Sequence, residues 1–411
     1  MPVRALLAIT LVVCASNARA QWPQWRGPSA NVVAPSGDYP VEFSPEKNCL
    51  WQVDLGGEGA STPILSDGNI YVTLDQEEHD VIASYDLQGT ERWRVTLGEA
   101  RGGKNRAATG SNSSPVTDGK LVVCYFKSGE VACLTTEGEK KWSLNLQDKY
   151  GADTLWWDLG TSPVLTSAGV CIAVMQEGDS YLVTLDLETG DEVWKVRRQY
   201  ERPSESDQAY TTPTVLDVDG QETIVTFGAD HLTGHSAETG KLLWQRDGFN
   251  PQDKGMWRVI ASQTIADGVA IIPFGRAEYL ACEPLGSEDS AGERRWLKKG
   301  IGTDVPSPVV HDGKVYVLED GGQLTCLALA TGDVLWEERL PRSRDKFYSS
   351  PLLAGGNLYC LRGDGTLFVV AADQYELLAE NDLGDESVAT PVPVDGKLLV
   401  RTRGKLFLFG E

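Results

Sequence analysis

Histidine is scarce in this chain. The 411 residues hold four, at His79, His231, His235 and His311. That count excludes a histidine-rich metal centre. His231 and His235 have the spacing of a helical metal pair, but a glycine-containing turn is read between them, so both are expected at the surface or in a turn. There is no Cys-x-x-Cys, which removes zinc-ribbon and thioredoxin-like readings. Cations are in deficit: 37 Lys and Arg stand against 59 Asp and Glu, a net charge of −22. A nucleic-acid binder needs a basic footprint, and an anionic membrane surface would repel such a chain. Beyond the first twenty residues no apolar run approaches the ~18 residues of a membrane-spanning helix, so the rest is read as soluble and monomeric. Asp217-Val218-Asp219-Gly220 lacks the remaining ligands of a calcium loop and reads as a hairpin turn. Ser113-Ser114 and Ser349-Ser350 have no accompanying His/Asp pattern and read as strand starts. No catalytic residue and no metal ligand set is assigned.

What the sequence does have is a repeat. Thr161 to Trp194 reads as four short strands joined by tight turns, with Gly169 and Gly190 supplying positive φ. The opening Pro163 recurs as Pro63, Pro115, Pro213, Pro308, Pro351 and Pro391, with Gln263 filling the gap. The closing Trp194 recurs as Trp51, Trp93, Trp142, Trp244, Trp296 and Trp336. Pro63 to Pro391 is 328 residues in seven steps, about 47 each, the length of a propeller blade. The apolar runs are short and rich in Val, Ile and Tyr, which argues strand rather than helical repeat. These Trp occupy one structural position per blade and are expected in the core.

The ends are complementary. Trp51 has no strands before it, and Ala389–Phe409 has three strands and no Trp. The sequence therefore predicts an all-β, eight-bladed propeller of four-stranded antiparallel blades, closed by the N-terminal strand, which protects the edges of an open array. Blade five, with Gln263, Pro284 and a lengthened turn, and blade seven, without Thr-Gly or Trp, are degenerate.

Three segments follow. Residues 1–20 read as a secretory signal peptide, with Arg4, an apolar run and Ala18-Arg19-Ala20 before the cut, so export to the periplasm or beyond is expected; a lipid anchor at Cys14 is the alternative. Residues 21–47 form a Trp/Pro-rich lead-in whose Trp22 and Trp25 are expected to pack on the ring as an apolar plug, with an exposed aromatic ligand site the alternative. Residues 48–411 form the propeller. Seven cysteines remain after cleavage, so at least one thiol is free. Cys124 and Cys133 flank Ser128-Gly129 equally and are expected to face each other as buried thiols, with a cross-strand disulfide the alternative.

The long connections all run from a Trp strand to the next Ser-Pro strand, so they share one face of the ring. Their aromatic and basic residues supply the binding candidates Trp156, Trp157, Arg197, Arg198, Trp257 and Arg258.

Asp186-Leu187-Glu188-Thr189-Gly190-Asp191-Glu192-Val193-Trp194 resembles the repeat of pyrroloquinoline quinone (PQQ) proteins, Asp-x-x-Thr-Gly-x-x-x-Trp. Thr239-Gly240 to Trp244 and Thr331-Gly332 to Trp336 match it without the Asp. The resemblance implies that Gly190, Gly240 and Gly332 make the turn while the Trp packs between blades. Trp22-Pro23-Gln24-Trp25-Arg26-Gly27-Pro28 is similar to the start of exported BamB-like propeller proteins. The alcohol dehydrogenases of this fold hold PQQ against a disulfide of adjacent cysteines and bind Ca²⁺ through Glu, Asn and Asp. No two cysteines here are adjacent, and no such metal set can be placed. No PQQ is therefore expected. The chain reads as a non-catalytic propeller that binds a protein or peptide of the cell envelope. The alternatives are a divergent PQQ-dependent oxidoreductase and a glycan-binding propeller.

Overall fold

The computed structural model describes residues 21–411; the signal-peptide assignment and Cys14 lie outside the described residues. Eight four-stranded antiparallel sheets form the blades of a ring. Blade one shows the plan, running outward from the channel as Ile64–Ser66, Asn69–Gln76, His79–Asp86 and Glu91–Glu99. The two middle strands of a blade are buried on both faces, as in Leu121–Tyr125 and Tyr181–Leu185, and so read as continuous apolar runs. The outer strands, such as Glu192–Arg197, are mostly exposed. Blade eight joins the two ends of the chain. Cys49–Asp54 pairs with Lys405–Phe409, setting Trp51 against Leu408 and Val53 against Leu406. Arg401 crosses the same seam: its guanidinium, fully buried, donates to the carbonyls of Ser61 (3.0 Å) and Thr73 (2.9 Å) in blade one. No helix among the described residues is long and apolar enough to cross a membrane.

The repeat Trp residues link each blade to the next. Trp142 Nε1 donates to Leu187 O (3.0 Å), Trp194 to Ala237 O (3.0 Å) and Trp296 to Leu329 O (2.8 Å). Trp51, Trp93 and Trp336 make the same bond to Leu87, Thr136 and Ala372. Trp194 and Trp296 are buried; the other five are half-buried, since the outer strand borders solvent. The Thr-Gly glycine lies under the preceding blade's indole. Gly190, Gly240 and Gly332 all have positive φ and contact Trp142, Trp194 and Trp296. Trp244 is the exception, because its Nε1 has no acceptor among the described residues. Its neighbour is blade five, where a short helix, Glu288–Ala291, replaces the Thr-Gly turn.

The lead-in crosses the end of the channel opposite the long loops. Trp22 is buried and bridges to Leu65 of blade one. Arg26 donates to Thr264 Oγ1 (2.7 Å) and Pro308 O (2.5 Å) in blades five and six. Burial pushes its guanidinium down to about 9. Asn31 and Val310 exchange two bonds, of 2.6 and 2.9 Å, and Val33 bridges to Leu353 of blade seven.

Two sequence expectations need correction. Cys124 sits opposite Ala132, and Cys133 opposite Val123, so the thiols point to opposite faces of the blade. The hairpin is centred on Ser128 rather than between Ser128 and Gly129, and a one-residue offset flips a side chain. All seven cysteines of the described chain are free thiols. His231 and His235 lie on one strand, His231–Ser236, not around a turn. His231 stacks on Tyr200 at 3.7 Å. His235 is buried, its Nδ1 donating to Gly240 O (3.0 Å), and burial pushes it down to about 4.

Candidate functional site

The channel opens on the long-loop face into a cavity of about 360 Å³. Its base follows from the Ser-Pro motif. The residue before a proline is held extended, which here aims its N–H and hydroxyl sideways at the neighbouring blade. The N–H of Thr62 donates to Ser114 Oγ (2.9 Å), that of Ser114 to Ser162 (3.0 Å), and that of Ser162 to Thr212 (3.0 Å). The chain continues from Thr212 to Ser262 (2.9 Å), Ser262 to Ser307 (3.0 Å) and Ser307 to Ser350 (3.0 Å). Thr390 returns to Thr62 (3.1 Å). One hydroxyl per blade thus encircles the axis. All of these oxygens except that of Thr390 accept a backbone N–H, and all except that of Thr212 line the cavity. Trp25 of the lead-in lines it as well.

Three long loops knit together at the mouth. Trp156 N–H donates to Gln208 Oε1 (3.0 Å), Met256 N–H to Ser204 O (2.8 Å), and Trp257 N–H to Ser206 Oγ (3.2 Å). Trp157 Nε1 donates to Glu205 Oε1 (2.6 Å), which also pairs with Arg258 (3.2 Å). The Arg258 guanidinium lies over the Trp157 ring at 5.6 Å. Asp158 and Lys127 form a buried ion pair, and Asp158 also accepts the N–H groups of Lys104 and Asn105, both at 2.8 Å. That carboxylate pins the Arg101–Asn112 loop.

The cavity wall carries both signs of charge. Arg258 reaches Asp304 (3.4 Å), and Lys346 lines the wall with no ion pair among the described residues. Asp320 Oδ1 accepts the N–H of Asp304 (3.1 Å) and of Val305 (3.2 Å). Burial raises both carboxyls above the usual range. Asp304 Oδ1 has no partner among the described residues.

Of the six binding candidates, Trp157 and Arg258 line the cavity. Trp156 stands beside it, 44% exposed. Arg197 is at the outer edge of blade three, bonded to Gln199 (2.7 Å). Arg198 is buried and holds Thr233 Oγ1 and His231 O, both at 2.9 Å. Trp257 is buried, its Nε1 donating to Phe249 O (2.8 Å). The six candidates left out Trp25, Asp304, Asp320, Lys346 and Tyr348, of which Asp320 and Lys346 were expected only on the loop face and Trp25 in the plug. The position before each Pro was the visible signal for the hydroxyl ring.

The wall residues do not match what PQQ would need. A tricarboxylate calls for several uncommitted cations, and here Arg258 is engaged by two acids. No three His, Cys, Asp or Glu among the described residues come together as a metal site. The thiols of Cys124, Cys171, Cys282, Cys326 and Cys360 are buried within the blades.

An eight-bladed ring with interlocked Trp and Gly and one inward hydroxyl per blade defines a PQQ-like propeller. The chain belongs to the family described as outer membrane protein assembly factor BamB, whose profile matches residues 44–201, 158–296 and 287–407. It is 30% identical over 95 residues to BamB of Yersinia pestis, a match spanning 23% of this chain and only 23% of that relative. Its fold is similar to that of BamB from Moraxella catarrhalis, with TM-score 0.64, 14% identity, and 88% of this chain and 97% of that chain covered. It is also similar to a europium-containing methanol dehydrogenase, with TM-score 0.72, 10% identity, and coverage of 95% and 98%. The quinohemoprotein alcohol dehydrogenase of Comamonas testosteroni gives TM-score 0.67 at 14% identity, with coverage of 95% and 80%. At these identities the structural likenesses speak for the fold alone.

Proposed function

We propose that this protein is an exported, monomeric, non-catalytic component of the cell envelope that docks a protein partner on the loop platform around the cavity mouth, without PQQ. The observation that carries the reading is the platform. Trp156 and Met256 stand 44% and 55% exposed on loops already fixed to each other by hydrogen bonds. Exposed Trp and Met on preorganised loops have the composition and rigidity of an interface centre, since little ordering entropy remains to be lost on binding. The family's description as an outer membrane assembly factor supports an envelope location and a protein partner.

The test is capture of partners from the native envelope fraction by wild type and by the Trp156→Ala/Met256→Ala double variant. A partner retained by the first and lost by the second supports the reading. Equal retention by both sinks it. Titration with PQQ and Ca²⁺, followed by dye-linked alcohol oxidation, tests the other half: micromolar binding with turnover makes the protein an oxidoreductase instead.

A further inference from the structure

We propose that the central cavity binds a neutral saccharide, a site separate from the protein-docking platform. Asp304 and Asp320 lie beside Arg258 and Lys346 in the wall of one cavity, with Arg258 paired to Asp304, and Asp158 is paired with buried Lys127. An anion entering would meet the two acids, and a cation would meet the two bases. The ligand that suits such a wall is uncharged, yet able to donate and accept many hydrogen bonds.

The base adds a second requirement. Seven of the eight ring hydroxyls, all but Thr390, already accept a backbone N–H from the preceding blade, and none of the eight has an acceptor for its own O–H among the described residues. That leaves the seven ring hydroxyls that line the cavity free to donate to whatever fills it. Asp304 Oδ1 adds a buried acceptor without a partner. A buried polar group left unpaired is costly, so a ligand rich in hydroxyls gains by supplying both kinds of partner. The third requirement comes from the aromatics. Trp25, Trp157, Tyr210 and Tyr348 all line the same space. Flat apolar surfaces beside forked polar groups complement a sugar ring, whose C–H face is apolar and whose rim carries vicinal hydroxyls. The volume of about 360 Å³ lies at the lower end of small-molecule sites, in keeping with a mono- or disaccharide.

The experiment is calorimetric titration of the mature full chain with neutral mono- and disaccharides, beside their uronic-acid and amino-sugar counterparts. Neutral sugars are expected to bind and the charged forms to bind about tenfold more weakly or not at all. Asp304→Asn and Tyr348→Ala should each weaken binding about tenfold, with melting checked in parallel. Trp156→Ala/Met256→Ala should leave sugar binding unchanged, which separates this site from the platform. No heat with any neutral sugar, tighter binding of a charged form, or full affinity in both cavity variants overturns the proposal. Loss of partner capture in the platform variant, with sugar binding kept, would leave the two sites independent.

Discussion

Gly190 of blade three lies under the indole of Trp142 of blade two, so close that a Cβ there would come within 2.7 Å of the ring. Its φ of 77° is also one that side chains avoid. Gly190→Ala therefore combines backbone strain with a clash against a wedged Trp, and should cost about 2–4 kcal/mol in denaturant unfolding. Gly220→Ala is the control. It has φ 81° but nothing within 4 Å, so only the ~1 kcal/mol backbone term should appear. Equal losses at the two sites would mean that the blade-to-blade lock is loose.

The lock explains how much was legible. Periodic Pro, Thr-Gly and Trp mark one position per blade, and that regularity can be read without coordinates. Whether a loop residue points to the axis cannot. Arg198 and Arg258 follow a Trp strand or a Trp in similar loops, yet one is buried against Thr233 and the other lines the cavity. Trp157 and Trp257 divide the same way. Their direction is set by how three loops fold onto each other, which no single segment encodes. Asp320 could be placed on the loop face from its acidic hairpin, but its burial, and the pairing of Asp304 with Arg258, arise only when loops of neighbouring blades come together.

Trp244 should be the least costly of the repeat Trp to replace. Trp142→Phe leaves Leu187 O with only the weak Cys133 Sγ donor at 3.4 Å and should lose roughly 1 kcal/mol beyond the change in packing. Trp244→Phe removes an N–H that already lacks an acceptor. The paired comparison by chemical denaturation should show the smaller loss at 244; a larger one would mean that blade five supplies a partner in solution.

Asp80 makes stability fall as pH rises. The carboxyl is buried, with Ser128 donating to Oδ2 and nothing to Oδ1. Desolvation raises it from 3.8 to about 7, with Asp75 and Glu130 adding repulsion and the Ser128 bond opposing it. A raised folded-state value means that the native protein binds the proton more tightly than the unfolded chain does. The contribution is complete below pH 4 and is lost between about pH 4 and 7. Asp80→Asn keeps a neutral acceptor for Ser128. Its advantage over wild type should grow across that window to roughly 2–4 kcal/mol at pH 8. A constant difference from pH 4 to 8 would contradict the assignment.

The blade-one hairpin carries avoidable strain. Gln76 pairs with His79, leaving Glu77 and Glu78 as a two-residue loop with φ of 52° and 62°. Both positive values define the turn that Asn-Gly fits best. Replacing Glu77-Glu78 by Asn-Gly should raise stability by about 1–2 kcal/mol, visible as a higher Tm. No change would imply that the loop takes another conformation in solution.

The last prediction separates the lead-in from the closure. Both lie near the N-terminus, but they act differently. Residues 21–47 bind the ring from one end, through Arg26 to blades five and six and Asn31 to blade six. They add stability and supply Trp25 to the cavity, while blade eight does not need them for its ladder. The strand Cys49–Asp54 supplies the outer strand of blade eight and brings Trp51 onto Gly89 of blade one. Without it, the edge strand Lys405–Phe409 is exposed, with its apolar face uncovered, and such an edge pairs with other chains. A truncation starting at Lys47 should therefore melt cooperatively at a lower temperature and stay monomeric. One starting at Gly57 should lose cooperative melting or aggregate on size exclusion. Identical behaviour of the two truncations would show that pairing between the ends of the chain is not what holds the ring shut.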